Sequence, residues 1–147
     1  YRALVRGQWD AGPRTLDFPL HKYVTAEGER RVVVQQGGQH AGTRVRPVRG
    51  ATHPAFGPVT LLAVELLTGR THQIRVHLAH VGFPLLGDDK YGDFILNKLL
   101  DKTAHKRMFL HAFAMSFAHP AEARPLRIEA PLPPAFRRLL DECDAPV

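Results

Sequence analysis

The chain has 147 residues, the size of one domain, and 44% of them are hydrophobic, enough to bury a core. Its formal net charge of +6 points to an anionic partner, nucleic acid first among them. A single cysteine, Cys143, excludes an internal disulfide and fits a reducing compartment, and neither a signal peptide nor an apolar run of the ~18 residues needed to span a membrane is found.

Taken in order, Tyr1 to Val5 reads as a short strand ended by Gly7. The opening directly in a strand, with no Met, suggests a piece of a longer polypeptide. Trp9 to Pro13 reads as a loop and Thr15 to Phe18 as an edge strand closed by Pro19. A turn at Glu27-Gly28-Glu29 precedes Arg31 to Val34, which has strong β propensity, and Gln36-Gly37-Gly38 breaks that strand. Thr43 to Val48 alternates as a half-buried strand with basic residues on one face, and Pro47 places it at a sheet edge. Ala51 to Pro58 reads as a loop. Val59 to Leu67 is apolar on both faces apart from Thr60 and Glu65, the pattern of a central strand covered on both sides.

A helix is expected from about Thr71 to Val81, with Thr71 as N-cap and Ile74, Leu78 and Val81 as its apolar stripe. Gly82 suits a left-handed position after the helix, and Pro84 stops the chain. Gly69 before the helix lets the backbone turn and leaves N–H groups that favour an anion. Arg75 sits on the flank of the stripe and needs a partner, because an unpaired buried charge is costly. The stretch from Gly82 to Gly92 reads as a loop. Asp93 caps a second helix with Leu96, Leu99 and Leu100 as its apolar face, and Lys98, Lys102, His105, Lys106 and Arg107 make its end basic. Phe109 to Phe117 reads as a strand, with Leu126 to Ala130 returning as a hairpin. Pro133 or Pro134 opens a last helix whose apolar face is Phe136, Leu139, Leu140 and Cys143. Strands joined by hairpin-length turns, with a few helices, indicate an α+β domain with a mainly antiparallel sheet.

His72, His77 and His80 lie within nine residues, but only 77 and 80 are spaced to meet on a helix face, and no H-E-x-x-H is present. No metal is expected. Cys143 belongs to a packing face, and G-x-S-x-G, Walker and G-x-G-x-x-G motifs are all missing, so no cofactor is implied. Aromatics near basic residues (Tyr1, Trp9, Tyr23, Phe83, Tyr91) suit extruded bases and phosphates.

The run Thr68-Gly69-Arg70-Thr71-His72-Gln73-Ile74-Arg75-Val76-His77, followed by Gly82-x-Pro84-x-x-Gly87-Asp88-x-x-Tyr91-Gly92, resembles the signature of the RluA-type pseudouridine synthases. Leu110-His111-Ala112, Phe117-x-His119-Pro120, Ile128-Glu129-Ala130-Pro131 and the opening Tyr1-x-Ala3-Leu4-Val5-x-Gly7 extend the resemblance over the whole chain. Gly38 to Thr43 resembles the family's Gly-Lys-Pro-x-x-Thr segment, with Gln39 and His40 where the family has Lys and Pro. The resemblance implies the pseudouridine synthase catalytic fold, with a mixed, mainly antiparallel sheet and flanking helices. It also implies uridine isomerisation in large-subunit ribosomal RNA, without cofactor or metal, by a cytoplasmic monomeric enzyme. A flipped nucleotide would be attacked by an Asp. Arg75 would pair with that Asp, since a guanidinium within ~4–6 Å keeps a carboxylate ionised. Tyr1 would stack on the base and share in proton transfer. Arg70, Thr71, His72, Gln73 and His77 would contact substrate RNA, Leu110 would form an apolar wall, and Lys90 and the basic second helix would hold phosphates. The family's His-Arg-Leu-Asp segment does not occur here. Residues 1–147 are therefore expected to be the C-terminal part of a catalytic domain, inactive without the upstream nucleophile. The alternative is an RNA-binding module without catalysis.

Overall fold

The computed structural model describes residues 1–144. Its elements in chain order are β1 (Arg2–Arg6), β2 (Arg14–Asp17), β3 (Leu20–Val24), β4 (Arg30–Val34), β5 (Gly42–His53), β6 (Gly57–Leu66), α1 (Gln73–His80), α2 (Phe94–Asp101), β7 (Leu110–His111), β8 (Ala114–Ala118), β9 (Pro125–Glu129) and α3 (Pro134–Asp141). Five strands form one sheet in the order β2-β5-β6-β1-β7, and the β3–β4 and β8–β9 hairpins stand apart as two-stranded sheets. The fold is α+β. Each strand pairing is antiparallel among the described residues, so the mixed character expected of the sheet is not seen in this part.

β6 takes the central place that its apolar run demands, and Val59 to Val64 are all buried. The strand period of two sends its side chains to two separate cores. On one face Leu62 and Val64 join Ala3, Val5, Leu16 and Val45 beneath Ile74 and Leu78 of α1. On the other, Val59 and Leu61 join Leu4 beneath Leu96 and Leu100 of α2 and Phe136, Leu139 and Leu140 of α3. Each core side chain of this kind contributes about 1.5–3 kcal/mol by leaving water.

Several expectations need correction. Pro47 does not mark an edge: β5 lies between β2 and β6, and the pairing register shifts between Pro47 and Arg49. A bulge tolerates the missing N–H. β5 also continues through Ala51 to His53, where a loop was expected, and β3 was not foreseen because its residues after Leu20 are exposed and carry no alternation. Phe109 to Phe117, expected as one strand, breaks into β7 and β8, and Met115 and Phe117 are exposed. Leu99 is likewise exposed. Trp9 is buried in the core, out of reach of a base, and the partly buried Phe83 packs on it at 4.9 Å.

α1 begins at Gln73, not Thr71. His72 is its N-cap, in the left-handed conformation (φ 53°), and makes no side-chain cap. The helix ends as expected. Gly82 has φ 90°, its N–H bonds Ala79 O, and Phe83 N–H bonds Leu78 O, which is a Schellman closure. Asp93 caps α2 by accepting from Ile95 N and Leu96 N. His105 is not part of a basic surface. It is buried, and its Nε2 meets the carboxylate of Glu142, as does that of His53 at 2.6 Å. His53 Nδ1 accepts from the N–H groups of Ala55 and Phe56, so its proton resides on Nε2 and points at Glu142. That protonation state suits a hydrogen bond and opposes a metal at Nε2.

Gly87 tests the tightest approach. With φ 78°, its Cβ would overlap the carbonyl of Arg107, whereas a Cβ on Gly28 (φ 82°) meets nothing. Gly28→Ala should cost about 1–2 kcal/mol for its left-handed backbone alone. Gly87→Ala should cost clearly more in urea unfolding, and equal losses at the two positions would refute the packing argument.

Candidate active site

Arg75 finds its partner in Asp88. Its Nε donates to Asp88 Oδ2 at 3.0 Å and its Nη2 to Oδ1 at 2.7 Å, a side-on bidentate pair. Oδ1 also accepts from the N–H groups of Lys90 and Tyr91. The Asp88 side chain is 1% exposed and that of Arg75 13% exposed. The loop carrying Asp88 is fixed by Asn97, which donates to Asp88 O and accepts from Gly87 N. Burial alone would raise the Asp88 pKa, but the hydrogen bonds from Arg75 and the two amides outweigh it and hold the carboxyl below its ordinary value. Arg75 is pushed up, first by its hydrogen bond to Asp88. Asp88 stood in the quoted motif with no role assigned to it, and Asn97 did not stand out at all, because a Gly- and charge-rich loop gives no periodicity to place them. Only the need of Arg75 for a counter-charge pointed there.

Tyr91 joins three elements. Its hydroxyl accepts from Val32 N on β4 at 2.9 Å and meets His72 Nδ1 at 2.8 Å, while the Arg75 guanidinium lies 5.2 Å from its ring centroid. With the oxygen already accepting, the phenol proton is free for Nδ1, which leaves His72 neutral with its proton on Nε2. Burial first, then the fields of Arg75 and Lys90, lower the His72 pKa and favour that form. Nearby, Lys90 Nζ pairs with Glu29 at 3.1 Å, and Arg31 donates to Lys90 O and Glu29. Thr71 is exposed beside Tyr23, Arg30 and Arg31 at a cleft of about 240 Å3. Arg70 is exposed, with Nε donating to His40 O.

Gln73 and His77 belong elsewhere. Both were expected to contact RNA, and both lie inside the fold. Gln73 Oε1 accepts from Thr68 Oγ1 and Arg70 N, and its Nε2 donates to Gly42 O and Thr43 Oγ1. His77 is fully buried between Thr43 Oγ1 and Phe18 O, both at 2.8 Å. Their polar groups are spent on tying α1 to β5, because the helix face carrying residues 73 and 77 points at the sheet. His77 and His80 both pack on the Phe18 ring, while His72 points away to Tyr91.

Tyr1 extends the β1 register, exchanging backbone hydrogen bonds with Val64, and its side chain is 38% exposed. Strand alternation puts it on the face of Ala3 and Val5, the face that α1 covers. Leu110 pairs with Ala3 on the neighbouring strand and is half-buried.

A family model described as RNA pseudouridylate synthase matches residues 1–80. The chain belongs to that family. Among curated relatives, ribosomal large subunit pseudouridine synthase C of Salmonella typhimurium is 42% identical over 142 residues, covering 95% of this chain and 43% of the relative. The protein of the same name from Escherichia coli K12 is 40% identical over 144 residues, covering 97% and 44%. The chain thus spans under half the length of these relatives. The solved structure of human RNA pseudouridylate synthase domain containing 1 superposes with a TM-score of 0.70 at 28% identity, covering 88% of this chain and 52% of that one. Human RNA pseudouridylate synthase domain containing 4 reaches 0.69 at 23% identity, over 99% and 62%, and supports the fold.

The Arg75–Asp88 pair sets a pH dependence for the fold. Because the Asp88 pKa is lowered on folding, its contribution is complete above the unfolded value near ~3.9 and is lost as pH falls through the folded one. Removing one partner of such a buried pair costs about 3–5 kcal/mol. Asp88→Asn should therefore lower stability by that order at pH 7 in urea unfolding, with the gap to wild type closing in acid. A gap that stays constant down to pH 2 would argue against the pair as its source.

Proposed function

We propose that residues 1–147 form the C-terminal part of the catalytic domain of a cytoplasmic pseudouridine synthase acting on large-subunit ribosomal RNA. The observation that carries this reading is the posture of Arg75. Asp88 engages Nε and Nη2, while Nη1 makes no hydrogen bond among the described residues. A guanidinium held on one edge by a buried carboxylate is rigid, and it offers its other edge to a second carboxylate. That second carboxylate is the nucleophilic Asp, supplied by sequence outside this chain. Asp88 is unsuited to the role, being buried with both oxygens occupied.

In this reading a uridine leaves the RNA stack and lies against the Tyr1 ring, with Leu110 as the apolar wall beside it. The Asp attacks the nucleotide and the N1–C1′ bond breaks. The base rotates, C5 bonds C1′, the bond to the Asp breaks and frees its carboxylate, and Tyr1 takes part in moving the C5 proton as N1 gains one. Arg70, Thr71 and neutral His72 line the approach. Lys90 exchanges its exposed partner Glu29 for a phosphate at little cost, since such surface pairs are worth about 0–1 kcal/mol. Gln73 and His77 act from within, by holding α1.

Tritium release from ribosomal RNA labelled at carbon 5 of uridine tests this. A polypeptide that includes the missing half of the domain should release tritium and the 147-residue chain should not. Release by the short chain would point to Asp89, the exposed carboxylate 3.5 Å from Arg75 Nη2, and overturn the proposal. In the longer polypeptide, Arg75→Lys keeps a charge for Asp88 but loses the second edge. It should cut turnover at least 100-fold with RNA affinity nearly unchanged.

A further inference from the structure

The candidate active site uses one face of the sheet. On the opposite face α2 and α3 cover only the end over Leu4, Val59 and Leu61. The other end of that face carries arginines. Arg46 on β5 pairs with Ala63 on β6, and Ala63 pairs with Arg2 on β1, so a row runs straight across three strands with a methyl group at its middle. Alternation puts Arg44 on the same face. It would put Val48 there next, but the register shift between Pro47 and Arg49 inserts one residue and turns Arg49 onto that face, opposite Leu61. β9 adds Arg127. Arg2 lies 4.0 Å from the Phe113 ring centroid, and it is close enough to Arg46 and Arg127 that their positive fields, after burial, lower its pKa. Arg44 is matched by Glu65 at 3.3 Å and Arg127 by Glu129 at 2.8 Å, whereas Arg46 makes no ion pair or hydrogen bond among the described residues.

We propose that Arg2, Arg46 and Arg127 form a second RNA-binding surface, which grips the phosphate backbone on the face of the sheet away from Arg75. Like charges held together this way repel until an anion joins them, and the flat guanidinium fork matches phosphate oxygens two at a time. Ala63, buried between them, separates Arg46 from Arg2 on this face. The surface is also placed for the task. Tyr1 and Arg2 are consecutive and point to opposite faces, so a strand of RNA passing over the start of β1 presents a base to Tyr1 and a phosphate to Arg2. Arg49, further along β5, is engaged by α3 instead, its Nη2 donating to Leu140 O at 3.4 Å. The proposal rests on the reading of this chain as an RNA-modifying domain.

The test is fluorescence anisotropy with a labelled single-stranded fragment of large-subunit ribosomal RNA, titrated over a range of salt with the longer polypeptide that includes the missing half of the domain. The Arg46→Gln, Arg127→Gln double variant removes two exposed charges and no core contact. Its Kd near 0.1 M salt should rise roughly 10- to 30-fold, and the slope of log K against log salt should become shallower by about 1.4. The Arg46→Lys, Arg127→Lys variant should keep the wild-type slope, and loss of slope there would assign the effect to misfolding and overturn the proposal. Wild-type binding with an unchanged double variant would also overturn it, while leaving the RNA reading intact. No RNA binding by the wild-type longer polypeptide would sink both.

Discussion

The buried carboxylate of Asp88 is the constraint on which the site depends. It accepts two hydrogen bonds from Arg75 and two from the amides of Lys90 and Tyr91, so one side chain closes its own loop and docks that loop on α1. Such a charge is tolerable inside a protein only when every lone pair is used. The result is that the Arg75 guanidinium, otherwise free to sample many rotamers, is presented in a single orientation before any substrate arrives. In the proposed reading, this preorganisation is what lets the cation serve the reaction.

Around that pair the structure separates support from contact. Gln73 and His77 come from the same short motif as His72 and Arg75, yet they face inward and bind β5 through Thr43 and Gly42. His72 and Arg75 face Tyr91. The motif thus does two jobs on two sides of one helix. Its strained residue, His72 at φ 53°, marks the point where the chain turns from one job to the other. A left-handed non-glycine residue of this kind persists only where its surroundings hold it, here Tyr91 on the ring nitrogen.

The sheet does the same on a larger scale. β6 sends alternate residues to two cores, and its neighbours divide likewise, Tyr1 to the side of α1 and Arg2 to the side of α3. One extra residue in β5, at Val48, changes which basic side chains share a face. The basic alternation from Thr43 to Val48 was visible in the sequence, but the bulge was not.

Strong local patterns were legible without coordinates. The central strand followed from a run apolar apart from Thr60 and Glu65, the end of α1 from Gly82 before Pro84, the cap of α2 from Asp93, and the last helix from Phe136, Leu139 and Leu140 at helical spacing. The family was legible in a long contiguous motif, since such a motif depends only on order along the chain. What the sequence could not decide was anything that depends on which side of an element meets its neighbour. The partner of Arg75 lies 13 residues away in an aperiodic loop, the burial of Gln73 and His77 depends on the angle at which α1 meets the sheet, and His53, His105 and Glu142 converge from three distant segments. Those are tertiary facts. They arise when buried polar groups must find partners, and the search for partners runs through space rather than along the chain.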